Sequence, residues 1–227
     1  MREYRDYIPP EARSLDNRRW WQPIDCARDV YNYILDLCDG FQTNLPEPFF
    51  SLTQYCRLDT ITVPNPYLYG ADPPSSIKGG KWCRGIELEC ARDNGKPTSP
   101  YMAQATLHYY NGREGSILWG ELAALITAMH NRAIQPDIDI QTSRSYMERG
   151  YVLKEELGNR LAFPQEKRFP VVMLSFMGPQ HGRILYAFMD GEQLVLRQSR
   201  LFSFERKANA PFALFQRILL SHPIAER

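Results

Sequence analysis

The chain lacks any apolar run long enough to cross a membrane. A spanning helix needs roughly 18 or more consecutive apolar residues, and no stretch of the sequence approaches that length. The first residues, Met1 to Asp6, are charged and lack the apolar core of a secretory signal. We therefore expect a cytoplasmic protein with no membrane partner.

The chain also has little excess charge of one sign. Its 27 Lys and Arg residues face 26 Asp and Glu residues, which leaves a net charge of +1. Broad electrostatic capture of nucleic acid needs clustered cations, so this balance argues against a nucleic-acid partner. A local basic patch is still an alternative, because five arginines lie near the start of the sequence: Arg2, Arg5, Arg13, Arg18 and Arg19.

The sequence signatures of metal, redox and hydrolytic sites are missing. No two of the five cysteines (Cys26, Cys38, Cys56, Cys83 and Cys90) have C-x-x-C spacing. We therefore expect reduced thiols rather than a zinc or redox centre. The chain also has no G-x-S-x-G, no H-E-x-x-H and no phosphate loop of the Walker or Rossmann type. From these absences we expect a protein without a cofactor or a bound metal.

The clearest pattern present is a series of three strands between Phe169 and Phe204. An apolar run reaches Met177, a polar turn follows, and two more apolar segments cover 184–189 and 193–199. Alternating segments at 82–91 and 101–110 predict a hairpin, and a weaker strand lies within 55–63. Helices are predicted at 23–39, at 116–132 with Ser116 as N-cap, and at 210–220. A short helix near 152–157 and a short strand at 138–140 complete the pattern.

This order of elements predicts the fold class. We expect an α+β or α/β fold in which a mixed central sheet of about five to six strands is flanked by helices. One globular domain is expected over residues 23–227, preceded by a loose, extended arm over residues 1–22.

Two polar sets are candidates for a functional site. In the turn after the first strand of the series, His181 and Arg183 place a titratable group and a fixed cation at a strand end, where ligands of α/β proteins often bind. A simple exposed turn is the alternative. The hairpin contributes a polar face made of Glu87, Glu89, Gln104 and His108. That face is either solvated or lines a cavity, where a carboxylate–histidine pair does acid–base work or holds a metal.

The helix at 116–132 carries two further ionisable residues. Glu121 lies beside the apolar stripe through Leu118 and Leu122, so we expect it to face solvent. His130 lies near the C-terminal end, where a cation stabilises the helix dipole.

From Trp82 onward, the element order resembles the core of the restriction-endonuclease-like (PD-(D/E)XK) nucleases. The tail from Arg183 to Phe204 is also similar to uncharacterised proteins of filamentous fungi. In the nuclease family a strand meander carries an Asp and then a Glu-x-Lys, whereas the matching strand here reads Gln104-Ala105-Thr106. Glu87-Leu88-Glu89 lies one strand early and has no Lys. The resemblance therefore implies a nuclease-like scaffold without the paired carboxylates that hold catalytic metals.

These patterns predict an enzyme that acts on a small-molecule ligand without an organic cofactor. A lyase, isomerase or cyclase of fungal secondary metabolism fits, with acid–base chemistry in an apolar, aromatic-lined pocket. The predicted catalytic residues are His181, Arg183, Glu89 and His108. One alternative is a non-catalytic protein- or nucleic-acid-binding module on a degenerate nuclease-like scaffold. Another is a divalent-metal enzyme that uses Glu87, Glu89 and His108. In each case the protein could also form a homodimer.

Overall fold

The computed structural model describes residues 3–9, 23–40, 44–61, 82–138, 148–149 and 160–223. The helices are α1 (Pro23–Asp39), α2 (Leu52–Tyr55), α3 (Trp119–Ala133) and α4 (Phe212–Leu219). The strands are β1 (Leu58–Thr60), β2 (Trp82–Cys90), β3 (Met102–Asn111), β4 (Val171–Gly178), β5 (His181–Asp190), β6 (Gln193–Gln198) and β7 (Phe202–Ser203). The predicted α+β class, a mixed sheet flanked by helices, is confirmed.

The described strands form one seven-stranded sheet in the order β1-β2-β3-β4-β5-β6, and β7 pairs with β5. Neighbouring strands are antiparallel except β3 and β4, which are parallel. A parallel pair needs a long crossover connection, and the segment between these two strands contains α3. This crossover brings α3 over the centre of the sheet.

Helices cover both faces of the sheet. On the first face, alternate residues of β3 and β4 pack with α1 and α4, as Ala105 and Phe176 do with Ile34 and Phe215. On the second face, α3 packs on the intervening residues. The apolar residues buried in this second core are Ile61, Trp82, Met102, Ala124, Leu125, Ala128, Met129, Phe169, Val171, Met173, Leu185 and Ala187. The two-residue period of each strand thus divides its side chains between two separate cores.

Small residues allow α3 to lie close to the sheet. Gly120, Ala124 and Ala128 are buried on the side of the helix that faces the strands. A Cβ atom added at Gly120 would lie 2.8 Å from the Trp82 ring of β2. A larger side chain there would separate the helix from the sheet.

Some predicted boundaries are wrong for local reasons. Of the strand predicted within 55–63, residues 62–63 lie outside the described ranges, and of residues 55–61 only Leu58–Thr60 are a strand, which follows α2 ending at Tyr55. Helix α3 begins at Trp119 rather than just after Ser116, because the Glu121 carboxylate accepts the Leu118 N–H and satisfies a free donor of the first turn. The helix predicted at 152–157 and most of the strand at 138–140 lie outside the described residues.

Residues 3–9, within the predicted loose arm, lie against the first-face core. Tyr4 is buried, and its ring lies 5.0 Å from that of Tyr33 and 4.8 Å from that of Phe212. Its hydroxyl donates to the Phe204 carbonyl oxygen, and the Tyr7 amide donates to the carbonyl oxygen of Glu205. Residues 10–22 of that arm lie outside the described ranges.

All five cysteines are free. No helix within the described ranges has the length and apolar character needed to cross a membrane.

Candidate functional site

The polar face of the β2–β3 hairpin lies beneath α3. Glu87 pairs with Gln104 across the hairpin, so both point to the second face, as the predicted register requires. Glu87, Glu89, Gln104 and His108 are each at most 6 % exposed. The solvated-face interpretation is therefore wrong, and these side chains belong to a buried polar layer.

A bidentate ion pair joins α3 to β5. The Arg183 Nε lies 2.7 Å from one carboxylate oxygen of Glu121, and its Nη2 lies 2.6 Å from the other. Nη1 donates to the backbone carbonyl oxygens of Arg113 and Ser116. Both side chains of the pair are fully buried. The expectation that Glu121 faces solvent is wrong, because Glu121 is the counter-charge that Arg183 requires in this interior.

His108 lies next to this ion pair on the same face. Its Nε2 lies 3.0 Å from the Thr106 hydroxyl oxygen. Burial lowers the pKa of His108 to about 4, an effect that nearby Glu121 opposes and Arg183 reinforces. The imidazole is therefore neutral at physiological pH, as a catalytic base must be, although it is enclosed by protein.

A second ion pair joins α3 to the other end of the hairpin. Arg132 Nη1 lies 2.7 Å from Glu89, and Arg92 Nη2 lies 2.6 Å from the other oxygen of the same carboxylate. The Arg132 guanidinium also donates to the Gln135 side-chain oxygen and to three backbone carbonyl oxygens, those of Ser99, Pro100 and Tyr101. Glu89 and Arg132 thus hold the C-terminal part of α3 against the strand ends.

Glu89 and His108 do not form the predicted carboxylate–histidine pair. Glu89 lies opposite Met102. His108 follows Met102 by six positions, or about 20 Å along the strand. The predicted residues therefore divide into two clusters: Arg183 and His108 near the start of α3, and Glu89 near its end.

His181 lies at the start of β5, two residues before Arg183 and on the same face. It is half-buried, and its Nδ1 lies 3.4 Å from the carbonyl oxygen of Gly178. It is the most accessible of the four predicted catalytic residues. Their catalytic role stays a prediction.

Within the described ranges, no three His, Cys, Asp or Glu side chains are grouped closely enough to hold a metal ion. The divalent-metal alternative that used Glu87, Glu89 and His108 is therefore wrong. The physical reason is the separation of these residues along the strands.

An open groove lies beside the buried layer, between α3 and the β5–β6 hairpin. Its volume is about 350 Å³. Most of its wall is apolar, and His130 and Glu192 are its titratable side chains. The full lining is Ile126, Met129, His130, Ala133, Phe169, Met189, Glu192 and Leu194. Concave, mostly apolar sites of this size are typical of small-molecule binding.

Backbone strain lies in the wall of this groove. Phe169 has φ of +45°, in the left-handed region that non-glycine residues rarely adopt. The next residue is Pro170, which disfavours helical conformations at the position before it. Strained residues of this kind concentrate at ligand sites.

Several residues of the site were missed by the sequence reasoning. Arg132 follows Leu125 and Ala128 by seven and four positions, so a stripe drawn through Glu121, Leu125, Ala128 and Arg132 has helical spacing. Because both ends of this stripe are charged, the sequence pattern did not mark it as a buried face. The groove residues Met189, Leu194 and Phe169 come from separate elements, and no local pattern joins them to His130.

No protein-family model, no characterised protein and no solved structure matches this chain.

Proposed function

We propose that this protein binds a small, largely apolar molecule in the groove between α3 and the β5–β6 hairpin. The supporting observation is the groove itself: about 350 Å³, with an apolar wall and two ionisable side chains. Apolar surface supplies affinity at such a site, while the few polar groups orient the ligand. His130 and Glu192 would make those polar contacts.

The groove fits this role better than the cavity near the N-terminal segment. That cavity, of about 390 Å³, is lined by Glu3, Arg5, Asp29, Asn32 and Tyr33. Four of these five side chains are charged or amide groups, which water solvates well. An apolar molecule gains more from the wall formed by Met129, Phe169 and Met189.

A binding role for the groove is better supported than a catalytic role for Arg183, Glu89 and His108. Arg183 and Glu89 already hold partners in buried ion pairs, and His108 is 1 % exposed. None of the three lines the groove. If the bound molecule is also converted, His130 and Glu192 are the titratable groups that would contact it. A lyase, isomerase or cyclase would use these two residues in catalysis, whereas a non-catalytic module would only bind the molecule in the groove.

The test fills the groove without removing any core side chain. Ala133 lines the groove, so A133F places a phenyl ring where the ligand would lie. The matched control is A213F on α4, where Ala213 is exposed and remote from the groove. Fluorescence titration with 8-anilinonaphthalene-1-sulfonate, an apolar aromatic anion, measures the affinity of all three proteins.

We expect wild type and A213F to bind this probe equally and A133F to bind it about tenfold more weakly or worse, a loss of roughly 1.4 kcal/mol. Near-UV circular dichroism of each protein checks that its fold is intact. Equal binding by A133F and wild type would show that the groove is not the site.

A further inference from the structure

A thiol and an imidazole meet on the first face of the sheet, away from the groove. Cys90 is the last residue of β2, and His222 follows the end of α4. The Cys90 sulfur lies 3.6 Å from His222 Nδ1, within reach of an S–H···N hydrogen bond. Two distant parts of the sequence therefore place a nucleophile beside a base.

The second ring nitrogen of His222 shows which nitrogen is the base. Nε2 contacts the backbone carbonyl oxygen of Cys56, between α2 and β1. A carbonyl oxygen only accepts hydrogen bonds, so Nε2 carries the proton and Nδ1 presents a lone pair to Cys90. This arrangement has the three parts of an activated nucleophile: the thiol, a base, and a group that orients the base.

The surroundings of Cys90 make a base necessary. Burial raises the pKa of the Cys90 thiol, and Glu89 acts in the same direction, while the Ser99 hydrogen bond and Arg132 oppose them. The thiol is therefore protonated at neutral pH and reacts only when its proton is removed. His222 is exposed, so it can exchange that proton with water.

The Tyr101 and Ser221 hydroxyls border the pair and contact each other rather than its reactive atoms. The Tyr101 hydroxyl lies 3.1 Å from the Ser221 hydroxyl. Burial raises the pKa of Tyr101 to about 12, so this phenol stays neutral. Cys90 itself is 9 % exposed at the edge of the first-face core. Only a small reagent can therefore reach its sulfur.

We propose that Cys90 and His222 form a reactive pair that adds the thiol to small α,β-unsaturated carbonyl compounds. Nδ1 of His222 removes the thiol proton while the sulfur forms a bond to the β carbon of the reagent. The π electrons move to the carbonyl oxygen as an enolate, and the proton is then returned to the α carbon. The addition needs no oxidant, no leaving group and no further reactant. It also does not depend on the groove, which lies on the second face.

The experiment measures the rate of N-ethylmaleimide addition at each cysteine by peptide mass mapping, in wild type and in H222Q. Cys83 is the internal reference, because it is more exposed and its sulfur contacts the Tyr109 hydroxyl rather than an imidazole. R217Q, which changes an exposed side chain of α4 five positions before His222, is the control. We expect H222Q to slow Cys90 at pH 7 by about tenfold or more, with Cys83 unchanged and R217Q like wild type.

An unchanged or faster Cys90 rate in H222Q would overturn the proposal. A Cys83 rate that slows in H222Q as much as the Cys90 rate would also overturn it, because Cys83 does not contact the imidazole.

Discussion

Glu121 performs two structural tasks with one carboxylate. Its Oε2 accepts the Leu118 N–H at 2.7 Å at the start of α3, and both of its oxygens bind the Arg183 guanidinium. A buried pair of this kind contributes little net stability compared with apolar residues, but removing one partner leaves an uncompensated charge in the interior. The side chain therefore determines both where the helix begins and where it docks.

We predict that E121Q destabilises the protein by about 3 kcal/mol or more, because Arg183 stays buried without its counter-charge. Urea unfolding followed by circular dichroism measures the free energy of unfolding. E47Q, which removes the charge of an exposed glutamate, should lie within about 0.5 kcal/mol of wild type. A loss in E121Q no larger than that in E47Q would mean that the ion pair does not hold α3.

At the residue scale, burial was the hardest property to predict. Glu121 and Arg132 are charged, and charged residues on a helix usually face water. Their burial depends on cations and carboxylates of strands distant in sequence, Arg183 and Glu89. The spacing within α3 places Glu121 and Arg132 on one stripe, but it does not identify these partners.

At the scale of elements, strand patterns were more informative than helix faces. The two-residue alternation of β2 and β3 predicted which polar residues share a face, and the register of Glu87 with Gln104 confirms it. The apolar stripe predicted for α3 through Leu118 and Leu122 continues to Ile126, which is 47 % exposed, whereas Ala124 and Ala128 are buried. The predicted face is therefore rotated about the helix axis. Alanine and glycine are weak markers of a buried face, although here they permit the close approach to the sheet.

That close approach can be tested at Gly120. Alanine normally stabilises a helix by about 1 kcal/mol relative to glycine, but its Cβ at this position would lie 2.8 Å from the Trp82 ring. We predict that the clash dominates and that G120A destabilises the protein by about 1–3 kcal/mol.

The Trp82 ring provides the matched background for this test. In W82L the smaller side chain removes the clash, so G120A should become neutral or stabilising there. Chemical unfolding of the four proteins of this double-mutant cycle gives the coupling between the two positions. A loss that is the same in both backgrounds would rule out contact with Trp82 as the cause.

At the scale of the whole molecule, the sequence predicted a mixed sheet but not its covering. The sequence shows the strands and the helix between β3 and β4, but not the order of the strands or which pair is parallel. Whether α3 would cover the polar face depended on the fit of this helix to the sheet, a property of the assembled fold. The same covering determines how stability responds to acid.

We predict that the protein loses stability as pH falls from 6.5 toward 4, in part through His108. The unfolded imidazole takes up a proton near pH 6.5, whereas the folded one does so only near its pKa of about 4. The unfolded state thus binds more protons in this window. The free energy of unfolding therefore decreases as the pH is lowered, and His108 accounts for roughly 3 kcal/mol of the decrease. Urea unfolding at several pH values measures it.

The H108Q variant separates this contribution from that of the carboxylates. Glutamine can keep the hydrogen bond that His108 Nε2 makes with Thr106, but it does not titrate. The variant should therefore show a shallower dependence between pH 6.5 and 4. Identical slopes in the two proteins would mean that His108 does not contribute.

The contact of Tyr4 with the Phe204 carbonyl joins residues 200 positions apart. During synthesis, Tyr4 is translated 200 residues before Phe204, whose carbonyl oxygen accepts its hydrogen bond, and before the α4 residue Phe212 that packs on its ring. The aromatic ring must therefore remain outside its final site until almost all of the described chain has been translated. This sequence distance means that residues 3–9 can dock only after α4 and the residues that follow β7 are in place.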